Sequence, residues 1–300
     1  MEERTPKAIT IPKESIIYEM SALNAPVLRV AAKSRIIFET NDCFEGQIKS
    51  AEDGFAGFDW NKINPATGSV FIEEAEPGDI LSVKIESIEL NEFGVCVCGA
   101  GWGALGHLIT ENCAKIIQIE GDYALFDNLK LPLNKMVGVI GVAPADGKAV
   151  KTGEPGEHGG NMDCKAIAEG ATVYLPVNVS GALLALGDLH AVMADGEIGV
   201  SGLEIGGRVT VTVDVIKNKK MPLPMVCNKT HIITIASDAN LDTACNKAIE
   251  NMAEILAVHG FGINEATMLI SMAGDLRICQ IVNPKKTARV EFPKEYIGMQ

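Results

Sequence analysis

The sequence predicts a mainly β (α+β) protein, made of β-barrel or sandwich-like units with two helices near the C-terminus. Three observations carry this. Short segments rich in β-branched residues, separated by Gly, Pro, Asn or Asp, fill the first half; the longer ones alternate apolar and polar side chains; and helical periodicity takes over after Ser237. Residues 18–20, 27–31, 34–40, 69–72, 80–90, 113–120, 123–126 and 136–142 read as strands, and 171–179 as a further one. Residues 80–90, 209–215 and 231–235 alternate apolar and polar side chains, so each is expected to present one buried and one wet face. Over 238–258, Leu241, Ala244, Cys245, Ala248, Met252, Ile255 and Leu256 recur at helical spacing, with Ser237 or Asp238 as the N-cap and His259-Gly260 closing the helix. A second helix follows over about 264–273, with Glu265 in its first turn and Gly274 at its end, and then a strand over 276–282.

A chain of 300 residues that is 47% hydrophobic can bury a large core, and one domain over 1–300 is the expectation. A division into two packed β halves, about 1–150 and 151–300, stays open. Residues 75–83 and 204–211 are both a charged, glycine-containing turn feeding an alternating strand. A net charge of −13 argues against nucleic-acid and anionic-membrane partners. No apolar run reaches the roughly 18 residues of a membrane span, and Met1-Glu2-Glu3-Arg4-Thr5-Pro6 lacks a signal-like stretch, so a cytoplasmic location is expected. The eight cysteines stand mostly alone in apolar segments, as free buried thiols do in a reducing compartment. Cys96-Val97-Cys98 puts two thiols on one strand face, for which core packing is favoured over a soft-metal site. Lys217-Asn218-Lys219-Lys220 reads as a solvated hairpin tip.

Chemistry concentrates in two stretches: His158-Gly159-Gly160-Asn161-Met162-Asp163, and Gly187-Asp188-Leu189-His190 continuing to Asp195-Gly196-Glu197. Imidazole and carboxylate are the natural donors of a catalytic zinc, which takes about three protein ligands and keeps a position open. The same residue types also make plain polar turns between strands. Flanking one strand over 171–179, the two stretches would share a hairpin or sheet edge. No P-loop, Gly-x-Gly-x-x-Gly turn or Gly-x-Ser-x-Gly elbow is present, and the Gly/Ser-rich stretch of a Ser-cis-Ser-Lys amidase is missing. Cys164 is the best-placed thiol for a nucleophile, a role that needs a base and an electropositive pocket. The glycine-rich run from Gly99 to His107 reads either as a loop carrying Trp102 or His107 over a pocket or as a surface loop. Asp42, in Glu39-Thr40-Asn41-Asp42, is the first-half residue most like a ligand.

These motifs, together with Gly46-Gln47, Asn64-Pro65-Ala66-Thr67-Gly68, Glu76-Pro77-Gly78-Asp79, Asp275-Leu276-Arg277 and Val282-Asn283-Pro284, occur in order along a chain that resembles the acetamidase/formamidase family over essentially its whole length. The resemblance implies hydrolysis of the carbon–nitrogen bond of a short aliphatic amide to carboxylate and ammonia, a β-rich fold, a divalent metal and a homodimer or higher homo-oligomer. Zinc is the first expectation, with calcium at a second site. Chemistry then assigns Asp42, His158, His190 and Asp163 as metal ligands, with Asp188 a further ligand or a holder of the imidazoles. Glu197 is the general base for metal-activated water, Asn161 and the amides of Gly159 and Gly160 are oxyanion donors, and Trp102 contacts substrate. The rival readings are a non-catalytic metal- or small-ligand-binding β protein and a hydrolase of another amide or ester.

Overall fold

The computed structural model describes residues 8–50, 55, 57–145 and 147–298. The opening Met1 to Pro6, read above for a leader, lies outside them. Alternating segments become strands with one buried face: Ile80–Leu90 buries Ile80, Leu81, Val83, Ile85 and Ile88. It is a central strand of a nine-stranded sheet that runs, edge to edge, Ile9–Ile11, Arg35–Thr40, Gly207–Ile216, Ile80–Leu90, Thr172–Pro176, Met225–Cys227, His231–Asp238, Lys286–Pro293 and Asp275–Gln280. The two segments that look alike in sequence lie side by side here, antiparallel, with Ile80 opposite Ile216 and Leu90 opposite Gly207.

A second, eleven-stranded sheet centres on Ala182–His190, which pairs with Met136–Gly141 along one edge and with Ala66–Ile72 and Glu204–Ile205 along the other. Ile36, Phe38, Leu81 and Val83 of the first sheet join Val70, Val137, Ile140 and Leu184 of the second in one buried cluster. Each such side chain contributes about 1.5–3 kcal/mol of burial. The two sheets therefore form a sandwich around one core, and neither closes on itself, so the barrel alternative is not the one adopted.

Helices α1 (Leu241–Val258) and α2 (Ile263–Ala273) stand where the periodicity places them. The cap of α1 is Asn240, whose side chain accepts from the Thr243 amide at 3.0 Å, because Ser237 and Asp238 are still paired in the strand His231–Asp238. The apolar stripe Ala248, Met252, Ile255 and Leu256 packs on Ile232, Val290 and Phe292 of the nine-stranded sheet. No single helix among the described residues is long and apolar enough to cross a membrane.

Behind this sheet Arg289 is fully buried. Its guanidinium grips Asp195 with two hydrogen bonds of 2.8 and 3.0 Å, donates to Glu291 at 2.7 Å, and touches the Cys279 thiol at 3.5 Å. Cys164 is fully buried beside Cys279 and Arg289, which gives it no open path to a substrate in this structure. The Arg289→Ala variant leaves Asp195 with Lys165, at 3.2 Å, and Glu291 with Arg277, at 3.3 Å, and its urea midpoint should fall by the equivalent of about 1–3 kcal/mol. A midpoint equal to that of the parent protein would remove this network from the account of the fold.

Candidate metal centre

The two histidine-bearing stretches are not turns flanking a hairpin. Gly159–Asn161 is a buried strand, and Gly187 to His190 is the end of the fully buried strand Ala182–His190. The intervening strand Thr172–Pro176 belongs to the other sheet. What joins the two stretches is Met136–Gly141, which lies between them: Val139 faces Asn161 on one side and Gly187 on the other. Gly138, in the middle of that strand, makes the approach possible. A Cβ there would lie 2.6 Å from Asp163 Oδ1 and 2.8 Å from Asp188 Oδ2.

The centre is the Nε2 atom of His190, a residue that is 1% exposed. Around it stand Glu204 Oε2 at 3.0 Å, Asp188 Oδ1 at 3.7 Å, and Asp163 Oδ1 and Glu197 Oε1 at 3.9 Å, all on buried side chains. Glu204 is near enough for a hydrogen bond but not aligned for one. Asp163 Oδ1, Asp188 Oδ1, His190 Nε2, Glu197 Oε2 and Glu204 Oε2 are all buried without a hydrogen-bond partner. Unsatisfied buried groups of this kind are costly, and five in one place need an outside partner. Asp163, His190 and Glu197 form one three-donor set and Cys43, Asp188 and Glu204 another, the donor atoms of each within 4.8 Å of one another. A divalent cation fits: the unpartnered atoms are negative or imidazole donors aimed at a common space.

Backbone strain marks the same place. Asp163, Asp188 and Glu197 adopt φ of 44°, 55° and 45°, the left-handed region that residues with a Cβ seldom enter. Each costs on the order of 1–3 kcal/mol, which the surroundings must over-determine. The Asn283 side chain donates to Asp163 Oδ2 at 2.7 Å, and Gln280 Oε1 in turn accepts from the Asn283 amide at 2.9 Å. Gly196, next to Glu197, donates its amide to the Cys279 carbonyl at 3.0 Å, and the residue before it is the Asp195 held by Arg289. The C-terminal hairpin thus holds both acidic loops.

Charge crowding sets the proton affinities. Burial, and then the charge of Asp188, raise Asp163 to about 6. Burial and Asp163 push Glu197 well above the ordinary carboxylate range. Burial raises Glu204 to about 8 against the opposing pull of His190, with Asp188 adding to the rise. Burial would lower the His190 imidazole, but the charges of Glu204 and Asp188 outweigh it and hold the ring protonated well above its usual range.

The structure brings together His190, Asp163, Asp188 and Glu197 of the expected set, and places Asp42 and His158 outside both donor groups. Asp42 Oδ1 is taken by the amides of Phe44 and Gly46 at 2.8 and 3.1 Å, so it caps a turn, although its carboxyl, raised by burial, still feels Asp188. His158 is buried between Gly156 and Gly160, and burial plus the nearby Lys285 lower it to about 4, which makes it a neutral imidazole. The Gly159 amide is spent on the Gly156 carbonyl at 3.1 Å and is no oxyanion donor; Gly160 and Asn161 share its strand, and Asn161 Oδ1 is buried without a partner. Trp102 lines a cavity of about 870 Å³ whose lining includes Cys43 and Asn283, neighbours of the centre, whereas His107 is exposed and does not line it. Cys96 and Cys98 join neither donor group, and Cys96 packs against the core. Glu204 and Cys43 were not anticipated. The signal for Glu204 was a lone carboxylate in the apolar run Gly202-Leu203-Glu204-Ile205.

An open β sandwich thus buries four carboxylates around one imidazole, a donor set compatible with a divalent cation. The chain belongs to the Acetamidase/Formamidase family, whose model matches residues 24–147 and 145–297. It is similar to an acetamidase from Bacillus halodurans (46% identity, 96% of this chain and 98% of that one, TM-score 0.94). It is equally similar in fold to a predicted acetamidase/formamidase from Thermoanaerobacter tengcongensis (44% identity, 98% and 99%, TM-score 0.94). A putative formamidase of Schizosaccharomyces pombe is 29% identical over 250 residues, 62% of this chain and 60% of that protein's length. The chain thus spans less than two thirds of that curated relative.

Two outcomes are expected. Gly138→Ala should abolish zinc retention, measured by elemental analysis, while circular dichroism stays β-rich; full zinc content would show that the carboxylates do not need this approach. Metal-free protein should lose stability between pH 6.5 and 8. Glu204, raised from 4.5 to about 8, contributes stability that is complete below 4.5 and lost as pH climbs through 8. His190, raised above 6.5, acts in the same direction, and His158, lowered to about 4, opposes it only below 6.5. Melting with chelator should give a lower Tm at pH 8 than at 6.5, and zinc should raise Tm more at pH 8, because it displaces protons. A chelated Tm that rises over this range would contradict the crowding.

Proposed function

We propose that the protein hydrolyses the carbon–nitrogen bond of short aliphatic amides, formamide and acetamide, to a carboxylic acid and ammonia with a divalent cation at the His190 centre. The observation that carries the proposal is the set of unpartnered buried donors around His190 Nε2. Family membership and the similarity to proteins described as acetamidases support the reaction. His190, Asp163, Asp188 and Glu204 would hold the cation. When bound, it supplies Lewis acidity toward the amide carbonyl and positive charge that favours the ionised carboxylates. Zinc suits these donors; the thiol of Cys43 makes the second set a poor match for calcium, which takes oxygen ligands.

Glu197 takes the proton of the attacking water and returns it to the leaving nitrogen. Its high proton affinity suits both tasks: it is a strong base once ionised and a competent acid once protonated. One C–O bond forms, the C–N bond breaks, and ammonia departs. Asn283 fixes the orientation of Asp163, and Arg289, through Asp195, fixes the loop of Glu197. A homo-oligomer is supported by the exposed apolar side chains Ile263, Met268 and Met272 on α2 and the neighbouring Leu276, and a cytoplasmic location by buried thiols with no disulfide among the described residues.

Ammonia release from formamide and acetamide, with and without chelator, tests the reading. Glu197→Gln should lower kcat about 10²–10⁴-fold with the metal content retained. Undiminished kcat would take the proton-transfer role from Glu197, and the absence of turnover of any short amide by zinc-loaded protein would favour a non-catalytic binding protein.

A further inference from the structure

The cavity in front of the centre is far larger than formamide or acetamide requires. At about 870 Å³ it falls near the upper end of the range, about 300–1,000 Å³, that houses ligands of drug size. Its inner end is set by Cys43 and Asn283, the first in a donor group and the second bonded to Asp163, so it ends against the two side chains that adjoin the buried centre. From there an aromatic wall runs outward. Phe44 meets Phe58 edge to face at 6.0 Å, Phe58 meets Trp60 at 4.7 Å, and Trp60 and Phe55 meet Trp102 at 5.2 and 5.1 Å. Phe44, Phe55, Trp60 and Trp102 all line the cavity, with Ile16 and Ile17 among the residues of the rest of its lining.

We propose, resting on the amidase reading above, that the enzyme's preferred substrates are primary amides with a bulky apolar or aromatic acyl group, which the Phe44–Phe55–Trp60–Trp102 wall receives. A short amide occupies only the inner end and leaves the wall facing water. An aryl acyl group covers the wall, adds edge-to-face contacts worth about 0.5–1.5 kcal/mol per aromatic pair, and contributes binding remote from the scissile bond that orients the carbonyl at the centre. The leaving group stays ammonia, so the added bulk lies on the acyl side.

The wall is built to hold its position. Gly99 lies beneath the Trp102 indole, where a Cβ would come within 2.4 Å of the ring. Ala104 donates its amide to the Ile198 carbonyl at 2.9 Å, which fastens the Trp102 loop to the residue after Glu197. Trp60 is 51% exposed at the outer end, so truncating it leaves the core untouched.

The test measures ammonia release by zinc-loaded protein from formamide, acetamide, benzamide and phenylacetamide. The larger amides should be hydrolysed with kcat/KM at least about tenfold above that of acetamide, the ratio that one to two such contacts supply. Trp60→Ala should reduce kcat/KM for phenylacetamide about tenfold more than for acetamide. Turnover of formamide and acetamide with none of the aryl amides, or equal losses on all substrates in Trp60→Ala, would overturn the acyl-group assignment and leave the amidase reading intact. Silence toward all four would overturn both.

Discussion

Four carboxylates and one imidazole are sealed from water within 3.9 Å of His190 Nε2, and the rest of the structure is arranged to make that tolerable. Charge of one sign cannot be buried at this density without a counter-ion. The protein alone has only protons to offer, which is why Glu204 and Glu197 are driven up and His190 is held cationic. A divalent cation would replace those protons and satisfy the same atoms, so the crowding of the carboxylates and the affinity for a cation would be two sides of one free energy.

Holding repelling groups together requires rigid support, and the sandwich supplies it from three directions. Met136–Gly141 brings two distant stretches to its two sides and, through Gly138, leaves room for the acidic groups to meet. Glu204–Ile205 pairs with Leu189 and His190, which puts the Glu204 carboxylate beside the imidazole. The hairpin of Asp275–Gln280 and Lys286–Pro293 then reaches across from the nine-stranded sheet, with Asn283 on Asp163 and Arg289 on Asp195. The left-handed backbone at Asp163, Asp188 and Glu197 persists because both sheets hold these loops.

Local pattern was enough for most of the fold. Residues 80–90, which alternate, and 113–120 and 123–126, short segments bounded by turn residues, form strands over those same spans, and α1 follows its apolar stripe. Ala182–His190 was obscured because every residue in it is buried, so it shows no alternation, and its polar end looked like a turn. The site divides in the same way. His190, Asp163, Asp188 and Glu197 were legible as donors in glycine-rich motifs. Glu204 was not, because its meaning comes from pairing opposite His190, a register fact. Asp42 and His158 carried the right chemistry in recognisable motifs, but whether a side chain caps its own turn or faces a neighbouring loop is decided by tertiary geometry.

The acidic centre and the apolar cavity are mechanically one object. Ile198 follows Glu197 directly, and its carbonyl accepts from Ala104, two residues after the Trp102 that lines the cavity. Gly103 permits this contact, since a Cβ there would lie 2.4 Å from the same carbonyl. A displacement of the wall is therefore passed through a single hydrogen bond to the backbone that bears Glu197. Its other side is fixed by Gly196 against Cys279 and by Asp195 against Arg289. Because the loop is pinned on both sides, the cavity wall and the acidic centre share one short segment, Asp195 to Ile198.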